Sequence, residues 1–380
     1  MRTPASELVG IDVPIFGFSH CRDVVAAVTN SGGCGVLGAV AHSPEQLDID
    51  LTWIEEEVKG KPFGVDLLVP EKFTGAEEGG LSPAELRALL PEEHMAWVEG
   101  LLERYGVPQA LDDEGPGRGI GGMRVDPRSM APLLDVVFAH ATRLVASALG
   151  PPPAHFIERS HAAGIPVAAL AGSVEHARRH AAAGADLIVA QGTEAGGHTG
   201  QIATMVLVPE VVDAVGPVPV LAAGGIARGR QLAAGMALGA DGVWCGSVWL
   251  TTEEAETPPA VKDKFLAAGL GDTVRSRSMT GKPARMLRTA WTDEWERADG
   301  PGTLPMPIQP LLIGDAMRRI HRVAAKPGTG ANDLVTYFVG QVVGTMNTVQ
   351  PTRRVMVEMV EEFIDTIERL NGLVNAEGDS

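Results

Sequence analysis

The sequence predicts an α/β protein built as a (β/α)8 TIM barrel, with a small accessory domain that would cover the substrate. One observation is that short apolar segments alternate with Ala-rich helical stretches. A second is that these segments are apolar on nearly every residue, as expected of parallel strands buried on both faces. A third is that glycine (46) and proline (27) are abundant while aromatic residues make up only 4%, which is typical of many short strands joined by tight turns.

Eight strand segments are predicted, and their number and span fit a TIM barrel. They are residues 13–18, 35–38, 63–69, 144–149, 166–170, 187–191, 218–222 and 242–246. Helices are predicted between them, for example at residues 24–31, 174–183 and 230–238. The same alternation would also build a doubly wound open sheet, which stays open as an alternative at this point.

Two regions interrupt the alternation and predict accessory structure. We expect the barrel at residues 1–252, with an insert around residues 71–126. An accessory or lid region is expected at residues 253–330. C-terminal helices are expected at residues 331–375, packed on the barrel exterior, because residues 340–370 carry an apolar run alongside charged residues.

Composition excludes several classes of function. The chain has 31 Lys and Arg residues against 48 Asp and Glu, a net charge of −17, and no long basic cluster, so nucleic acid is not expected as a partner. No segment reaches the roughly 18 to 20 apolar residues of a membrane span, and no signal peptide is recognisable, so we expect a cytoplasmic protein. Three cysteines are too few for a disulfide framework or a Cys-rich zinc site. The expected partner is a small-molecule substrate, with no metal, and the oligomeric state is left open.

The most informative segment is residues 190–200, which follows an apolar strand directly. In a barrel it would lie on the catalytic face, where the loops after the carboxyl ends of the strands meet. Glycines such as Gly196 and Gly197 let the backbone approach a bound group closely. His198, placed among them, could exchange a proton with a ligand near neutral pH. The segment therefore predicts that His198 is catalytic.

Two later strands end in glycines and predict a phosphate site. Gly224 and Gly225 follow the seventh strand, and Gly246 and Ser247 follow the eighth. Loops at these two positions of a barrel often bind phosphate through backbone N–H groups and the N-terminus of a short helix. A single phosphate site favours a mononucleotide, and no G-x-G-x-x-G fingerprint is present. The absence of Walker A, H-E-x-x-H and G-x-S-x-G motifs disfavours kinases, zinc hydrolases and serine hydrolases.

At these residues the sequence resembles the nitronate monooxygenase (2-nitropropane dioxygenase-like) family of FMN-dependent TIM-barrel oxidoreductases. The likeness spans most of the chain, and its most specific block is Gln191 followed by the glycine-rich run that ends in His198 and Gly200. The resemblance implies bound FMN, with Gln191 contacting the flavin, Gly196 at its phosphate and His198 as the base that acts on nitronate. The pair Gly246 and Ser247 matches a phosphate-binding Gly-Thr of the family.

Two cofactor positions depart from the family pattern. Where the family usually has Ala-Pro-Met at the end of its first strand, this chain has Pro14-Ile15-Phe16. Where the family usually has Asn in the third strand, this chain has Asp66. The resemblance implies that Phe16 and Asp66 contact the cofactor, although a carboxylate at the second position would repel a phosphate or a reduced flavin unless it were protonated or paired.

Three functions follow from these observations. The first is FMN-dependent oxidation of alkyl nitronates to a carbonyl compound and nitrite. The second is an FMN-dependent reductase that uses NAD(P)H to reduce an enoyl thioester of CoA or acyl carrier protein, with His198 protonating the intermediate. A locally basic stretch that could meet a CoA phosphate supports it: Lys262, Lys264, Arg275, Arg277, Lys282, Arg285 and Arg288. The third is a non-catalytic flavin-binding protein that has kept the barrel.

Overall fold

A computed structural model of the chain describes residues 1–68, 83–109, 127–148, 150–326 and 328–375. Much of the insert predicted around residues 71–126 therefore lies outside the described residues. So do the two strand ends predicted at residues 69 and 149.

Eight parallel strands close into a barrel, which confirms the predicted TIM fold. In barrel order they are β1 Ile15–Ser19, β2 Cys34–Gly38, β3 Gly64–Leu68, β4 Leu144–Ala148, β5 Val167–Ala171, β6 Leu187–Gln191, β8 Val220–Ala223 and β9 Gly242–Cys245. The strand β9 pairs with β1 and so completes the ring. Three further strands, β7 Gly197–His198, β10 Thr273–Ser276 and β11 Ala284–Leu287, form a separate small sheet.

Helices alternate with the strands as predicted. In the described residues they are α1 Pro4–Val9, α2 Arg22–Asn30, α3 Pro44–Val58, α4 Pro83–Ala88, α5 Glu92–Arg104, α6 Pro127–Ala139, α7 Ala154–Ala162, α8 Val174–Ala183, α9 Thr204–Val215, α10 Gly229–Ala237, α11 Pro259–Ala267, α12 Ala290–Trp295, α13 Ile308–Val323, α14 Ala331–Leu334 and α15 Thr352–Asn375. Short 3₁₀ turns span Ser247–Thr251 and Gln341–Thr345. No helix in these parts of the chain has the length and hydropathy of a membrane span.

Side chains from alternate strand positions fill the inside of the barrel. Phe16 and Trp244 lie opposite each other in register and stack with their ring centroids 6.4 Å apart. Helix α1 closes the amino-terminal end of the barrel, where Ala5 and Val9 join this inner cluster. Because the interior is packed, ligands can reach the barrel only at the loops around its ends.

The C-terminal helix begins later than the sequence predicts. Residues 341–345 form a 3₁₀ turn, and α15 starts at Thr352, directly after Pro351. Proline disfavours a helical conformation in the residue before it and is tolerated in the first turn. Helix α15 packs on α10 and α2 of the barrel. Gly229 makes this contact possible, because a Cβ there would lie 2.0 Å from the carbonyl oxygen of Met359.

A second hydrophobic core lies outside the barrel. It joins buried residues of α5 with residues from α11, the β10–β11 hairpin, α12, α13, α14 and the turn at Gln341–Thr345. Trp97 of α5 contacts Trp295 of α12, with ring centroids 4.6 Å apart. Arg319 of α13 donates to Glu99 of α5 at 2.7 Å. Segments from both interruptions of the barrel therefore share this core.

Candidate active site

The loop between β6 and α9 is fixed by the carboxylate of Glu194. Both of its oxygens accept from the backbone N–H of Thr204, at 3.1 and 3.0 Å, and one also accepts from the Thr204 hydroxyl at 2.8 Å. A carboxylate at the N-terminus of α9 is also favoured by the helix dipole. Gly192 is required here, because a Cβ would lie 2.1 Å from Oγ1 of Thr204. Glu194 therefore positions the loop.

Two arginines of the small sheet hold the same loop from the other side. Arg275 and Arg285 are directly opposite each other on the antiparallel strands β10 and β11. Arg285 donates from Nε to the carbonyl oxygen of Thr193 at 2.7 Å, and Arg275 donates to that of Thr199 at 3.0 Å. Like charges directly opposite each other on paired strands repel and destabilise the pairing. Their placement therefore depends on the carbonyl groups that they bind at the two ends of the loop.

His198 lies on β7 and is covered by the second core. The strand β7 pairs with β11, which places His198 opposite Ala284. Its Nε2 lies 2.8 Å from Oγ1 of Thr280, and its ring centroid is 6.2 Å from that of Phe338. Burial, and secondarily the charge of Lys282, lowers the pKa of His198 to about 4. The imidazole is therefore neutral at pH 7 and can act as a base.

The hydrogen bonds around Thr280 assign the tautomer of this imidazole. The Thr280 hydroxyl donates to the carbonyl oxygen of Lys282 at 3.2 Å. With its single proton placed on the Lys282 carbonyl, Thr280 accepts from Nε2–H, and we assign His198 as the donor in this bond. The lone pair of Nδ1 is then the one available to accept a proton.

The predicted phosphate-binding glycines converge on one place. Gly224 and Gly225 both have positive φ, 101° and 72°, a region that glycine adopts without strain. Gly225 lies against Glu194, because a Cβ there would be 3.2 Å from the Glu194 Cβ. Ser247 begins the 3₁₀ turn after β9, and its Oγ accepts from the backbone N–H of Gly340 at 2.8 Å. The hydroxyl proton of Ser247 stays available for a ligand.

Gly196 and Gly197 have different surroundings. A Cβ at Gly196 would lie 2.8 Å from the backbone N of Gly340 and 2.8 Å from the carbonyl carbon of Val339. A Cβ at Gly197 would meet no atom within 4 Å, and its φ is 76°. Gly196 is therefore needed for chain packing, whereas the space beside Gly197 is open to a ligand. Gln191 ends β6 beside them, half-buried and in register with Ala223.

Phe16 lies elsewhere than the sequence predicts. The strand β1 continues to Ser19, so Phe16 is in the middle of the barrel and is fully buried. The residues at the carboxyl end of β1 are instead Phe18 and Ser19, and the exposed His20 follows the strand directly. The Nδ1 of His20 lies 2.8 Å from the carbonyl oxygen of Gly38. The first strand therefore ends three positions after Phe16, where the family pattern had placed its end.

Asp66 is the third of the five residues of β3 and pairs in register with Gly38, the last residue of β2. It is 8% exposed, and its Oδ1 has no hydrogen-bond partner among the residues that the structure describes. Burial raises the pKa of this carboxyl group to about 8. The group is therefore mostly protonated at neutral pH, which removes the repulsion expected of a carboxylate.

Sequence reasoning missed several residues of the site. Thr280, Gly340 and Phe338 come from segments far from His198 in the chain, and no local pattern links them to it. The sequence did offer a signal for His20, because this residue follows the first strand directly.

Cys21, Asp23 and Glu256 bring together atoms of the kind that bind metal ions. Burial raises the pKa of the Cys21 thiol, which disfavours the thiolate form that binds metal.

Comparison with known proteins now identifies the family. A sequence profile described as nitronate monooxygenase matches residues 6–362. The chain belongs to the nitronate monooxygenase family. It is therefore an enzyme, an oxidoreductase, and the suggestion of a non-catalytic flavin-binding protein is not supported.

Three individual proteins of known sequence or structure are similar to this member of the nitronate monooxygenase family. A Mycobacterium tuberculosis protein, named provisionally as a monooxygenase, is 65% identical over 98% of this chain and 100% of its own length. A hydroxy-methyl-oxo-octahydro-indene-carboxyl-CoA dehydrogenase from the same organism is 32% identical over 78% of this chain and 69% of its own. The structure of a nitroalkane oxidase from Streptomyces ansochromogenes superimposes with a TM-score of 0.78 at 25% identity, covering 97% of this chain and all of that one.

Proposed function

We propose that this enzyme oxidises alkyl nitronates to a carbonyl compound and nitrite with FMN as its cofactor. The observation that carries the proposal is a neutral His198, held at Nε2 by Thr280, beside loops that suit a phosphate group. The family assignment and the similarity to a nitroalkane oxidase support it.

The residues at the barrel mouth fit the phosphate of a mononucleotide. Gly224 and Gly225, with their positive φ angles, would let the backbone approach a phosphate group closely, and Ser247 at the start of the 3₁₀ turn has a hydroxyl proton that could be donated to it. Backbone N–H groups in glycine-rich loops and at the start of a helical turn bind anions well. When bound there, FMN would supply the redox chemistry that links oxidation of the nitronate to reduction of O₂.

The chain's own residues would manage the proton and the charge of the substrate. A neutral nitroalkane would lose its Cα proton to Nδ1 of His198, while Thr280 holds Nε2–H in place. Lys282 is exposed, and its charge is felt by His198. A positive charge near the ring favours the nitronate anion that the proton transfer produces.

The second candidate is an FMN-dependent reductase that uses NAD(P)H to reduce an enoyl thioester of CoA or acyl carrier protein, and the similarity to a carboxyl-CoA dehydrogenase favours a CoA substrate. The basic stretch supports it less than the sequence suggested. Five of its seven cations bind carbonyl, hydroxyl or carboxylate groups of the protein itself: Lys262, Lys264, Arg275, Arg285 and Arg288. Arg277 and Lys282 are exposed. A neutral His198 is also poorly suited to protonate an intermediate at pH 7.

An anaerobic absorbance titration separates the two. Purified protein loaded with FMN is mixed with an alkyl nitronate in one sample and with NADPH or NADH in another, and the visible flavin bands are followed. Bleaching by nitronate alone supports the monooxygenase. Rapid bleaching by a pyridine nucleotide alone would replace it with the reductase, and a protein that takes up no FMN would overturn both.

A further inference from the structure

Asp66 places an isolated carboxyl group inside the mouth of the barrel. Its neighbours Val65 and Leu67 pack between the strands and the outer helices, so Asp66 faces the barrel interior, as strand alternation requires. Its partners in register are Gly38 on β2 and Ala146 on β4. Two small residues therefore flank the carboxyl group, and neither offers it a side-chain hydrogen bond.

No cation compensates this group in the described residues. Cys34, the titratable residue of β2, is fully buried deeper in the barrel interior, and charged groups on the other elements around Asp66 pair elsewhere. Arg22 and His42 bind Asp50, at 3.0 and 3.1 Å. Asp135 of α6 binds Arg159 at 2.7 Å, His140 lies between Asp48 and Glu55, and His20 contacts the Gly38 carbonyl. The strand β4 contributes no titratable side chain.

Burial without a partner favours the neutral form of a carboxyl group. Consistent with this, burial alone raises the pKa of Asp66 to about 8. A neutral carboxyl group carries one O–H donor. At neutral pH a hydrogen-bond donor therefore faces the inside of the barrel from the third residue of β3, level with Gly38 at the carboxyl end of β2.

The position of β3 in the barrel determines which part of a bound molecule this donor can contact. In the order of the closed barrel, β3 is the third strand and β8 the seventh, so they lie on opposite sides of the barrel axis. The predicted phosphate loops follow β8 and β9. A molecule held there by its phosphate must extend across the mouth to meet Asp66, which suits the ring system of a mononucleotide more than its phosphate.

We propose that Asp66 stays un-ionised in the folded protein and donates a hydrogen bond from its carboxyl group to an acceptor atom of the ring bound across the barrel mouth. Under the proposed function, on which this inference rests, that ring is the flavin of FMN. Ionisation at alkaline pH removes the donor and brings a negative charge to the ring. FMN affinity should therefore fall as the pH rises through the titration of Asp66.

The experiment uses two measurements on the full-length protein. Infrared spectra of protein with ¹³C-labelled aspartate are recorded from about pH 6 to about pH 10, spanning the titration range, for wild type and for Asp66→Asn. FMN dissociation constants are measured over the same pH range by quenching of flavin fluorescence. These measurements use wild type, Asp66→Asn and a third protein, Asp66→Leu. Asp213→Asn, which changes an exposed carboxylate on α9, is the control.

We expect a protonated-carboxyl band in wild type at pH 7 that disappears at alkaline pH and is absent from Asp66→Asn. Wild-type FMN affinity should fall roughly tenfold over that change, the scale of one lost hydrogen bond at about 1.4 kcal/mol. Asp66→Asn keeps an N–H donor, so its FMN affinity should stay high and flat with pH. Asp66→Leu should bind weakly throughout.

A wild type without a protonated-carboxyl band at pH 7 would overturn the inference, and this measurement needs no variant to fold. Equal pH dependence of FMN binding in wild type and Asp66→Asn would overturn the donor role while leaving the proposed function intact. Failure of wild type to take up FMN at any pH would instead remove the proposed function itself, and the role toward flavin with it.

Discussion

Nε2 of His198 lies 2.8 Å from Oγ1 of Thr280, a residue 82 positions later in the chain. The contact joins the glycine-rich loop after β6 to the turn between β10 and β11. With the imidazole proton assigned to Nε2, this hydrogen bond links the second core to the chemistry at the barrel mouth.

Replacing Thr280 with Val should weaken catalysis without emptying the site. The variant keeps the shape of the side chain but removes the acceptor of Nε2–H, and one hydrogen bond contributes about 0.5–1.5 kcal/mol. We expect turnover to fall by roughly two- to tenfold on that basis. The ¹⁵N NMR signals of His198 should show a mixture of tautomers. Thr280→Ser keeps the hydroxyl and is the matched control, so a normal tautomer signal in Thr280→Val would contradict the assignment.

Replacing His198 with Ala tests the base itself. Turnover of a neutral nitroalkane should fall roughly 10²-fold or more, the usual scale for a positioned base. FMN should remain bound, because the loop is fixed by Glu194, Arg275 and Arg285 rather than by the imidazole. Steady-state kinetics and the visible spectrum measure the two effects separately. His176→Ala, on the exposed side of α8, should behave as wild type; unchanged turnover in His198→Ala would refute the catalytic role.

The pH profile should reveal the lowered pKa of His198. Because the imidazole must be neutral to accept a proton, kcat/KM for a nitroalkane should stay level as the pH falls toward 5 and decline as it passes through about 4. Burial is the main cause and Lys282 the second, so Lys282→Gln should move the decline to higher pH. Lys326→Gln, at an exposed site, should leave the profile unchanged. A decline centred near pH 6.5 in wild type would show that the ring is not buried as described.

Asp66→Asn should make the protein more stable at alkaline pH. The unfolded chain ionises Asp66 near its ordinary pKa of 3.8, whereas the folded protein keeps the proton until about pH 8. The folded state therefore binds more protons between these values, and stability falls as the pH rises. The advantage of Asn should grow by about 1.4 kcal/mol per pH unit at most and level off above pH 8. Urea unfolding at several pH values measures it, and a difference independent of pH would disprove the titration.

Gly196→Ala should disturb both packing and cofactor binding. The added Cβ would lie 2.8 Å from the backbone N of Gly340, so either the loop or residues 339–340 must move. We expect a lower melting temperature and weaker FMN binding. Gly372→Ala, in α15 with open space around the added carbon, should instead stabilise the helix by roughly 0.5–1 kcal/mol. Equal behaviour of the two variants would contradict the close approach at Gly196.

The sequence was most informative where structure depends on local pattern. The eight strands are recognisable because parallel strands buried on both faces are apolar along their whole length. The glycine-rich loops are recognisable because positive φ angles and close backbone contacts call for glycine at positions such as Gly224 and Gly225. Since the carboxyl ends of barrel strands meet at one face, the order of these loops was enough to predict that they lie together.

Other features were decided only by the tertiary structure, because they depend on contacts between distant parts of the chain. The partner of His198 is supplied by a hairpin 82 residues away, and burial by the second core lowers its pKa. Phe16 belongs to the barrel interior because β1 continues to Ser19. From the sequence alone, Asp66 would be expected to carry a negative charge. In the structure it is buried between Gly38 and Ala146, and burial favours its neutral form. A sequence specifies which groups can ionise, whereas solvent access and neighbouring dipoles decide which of them do.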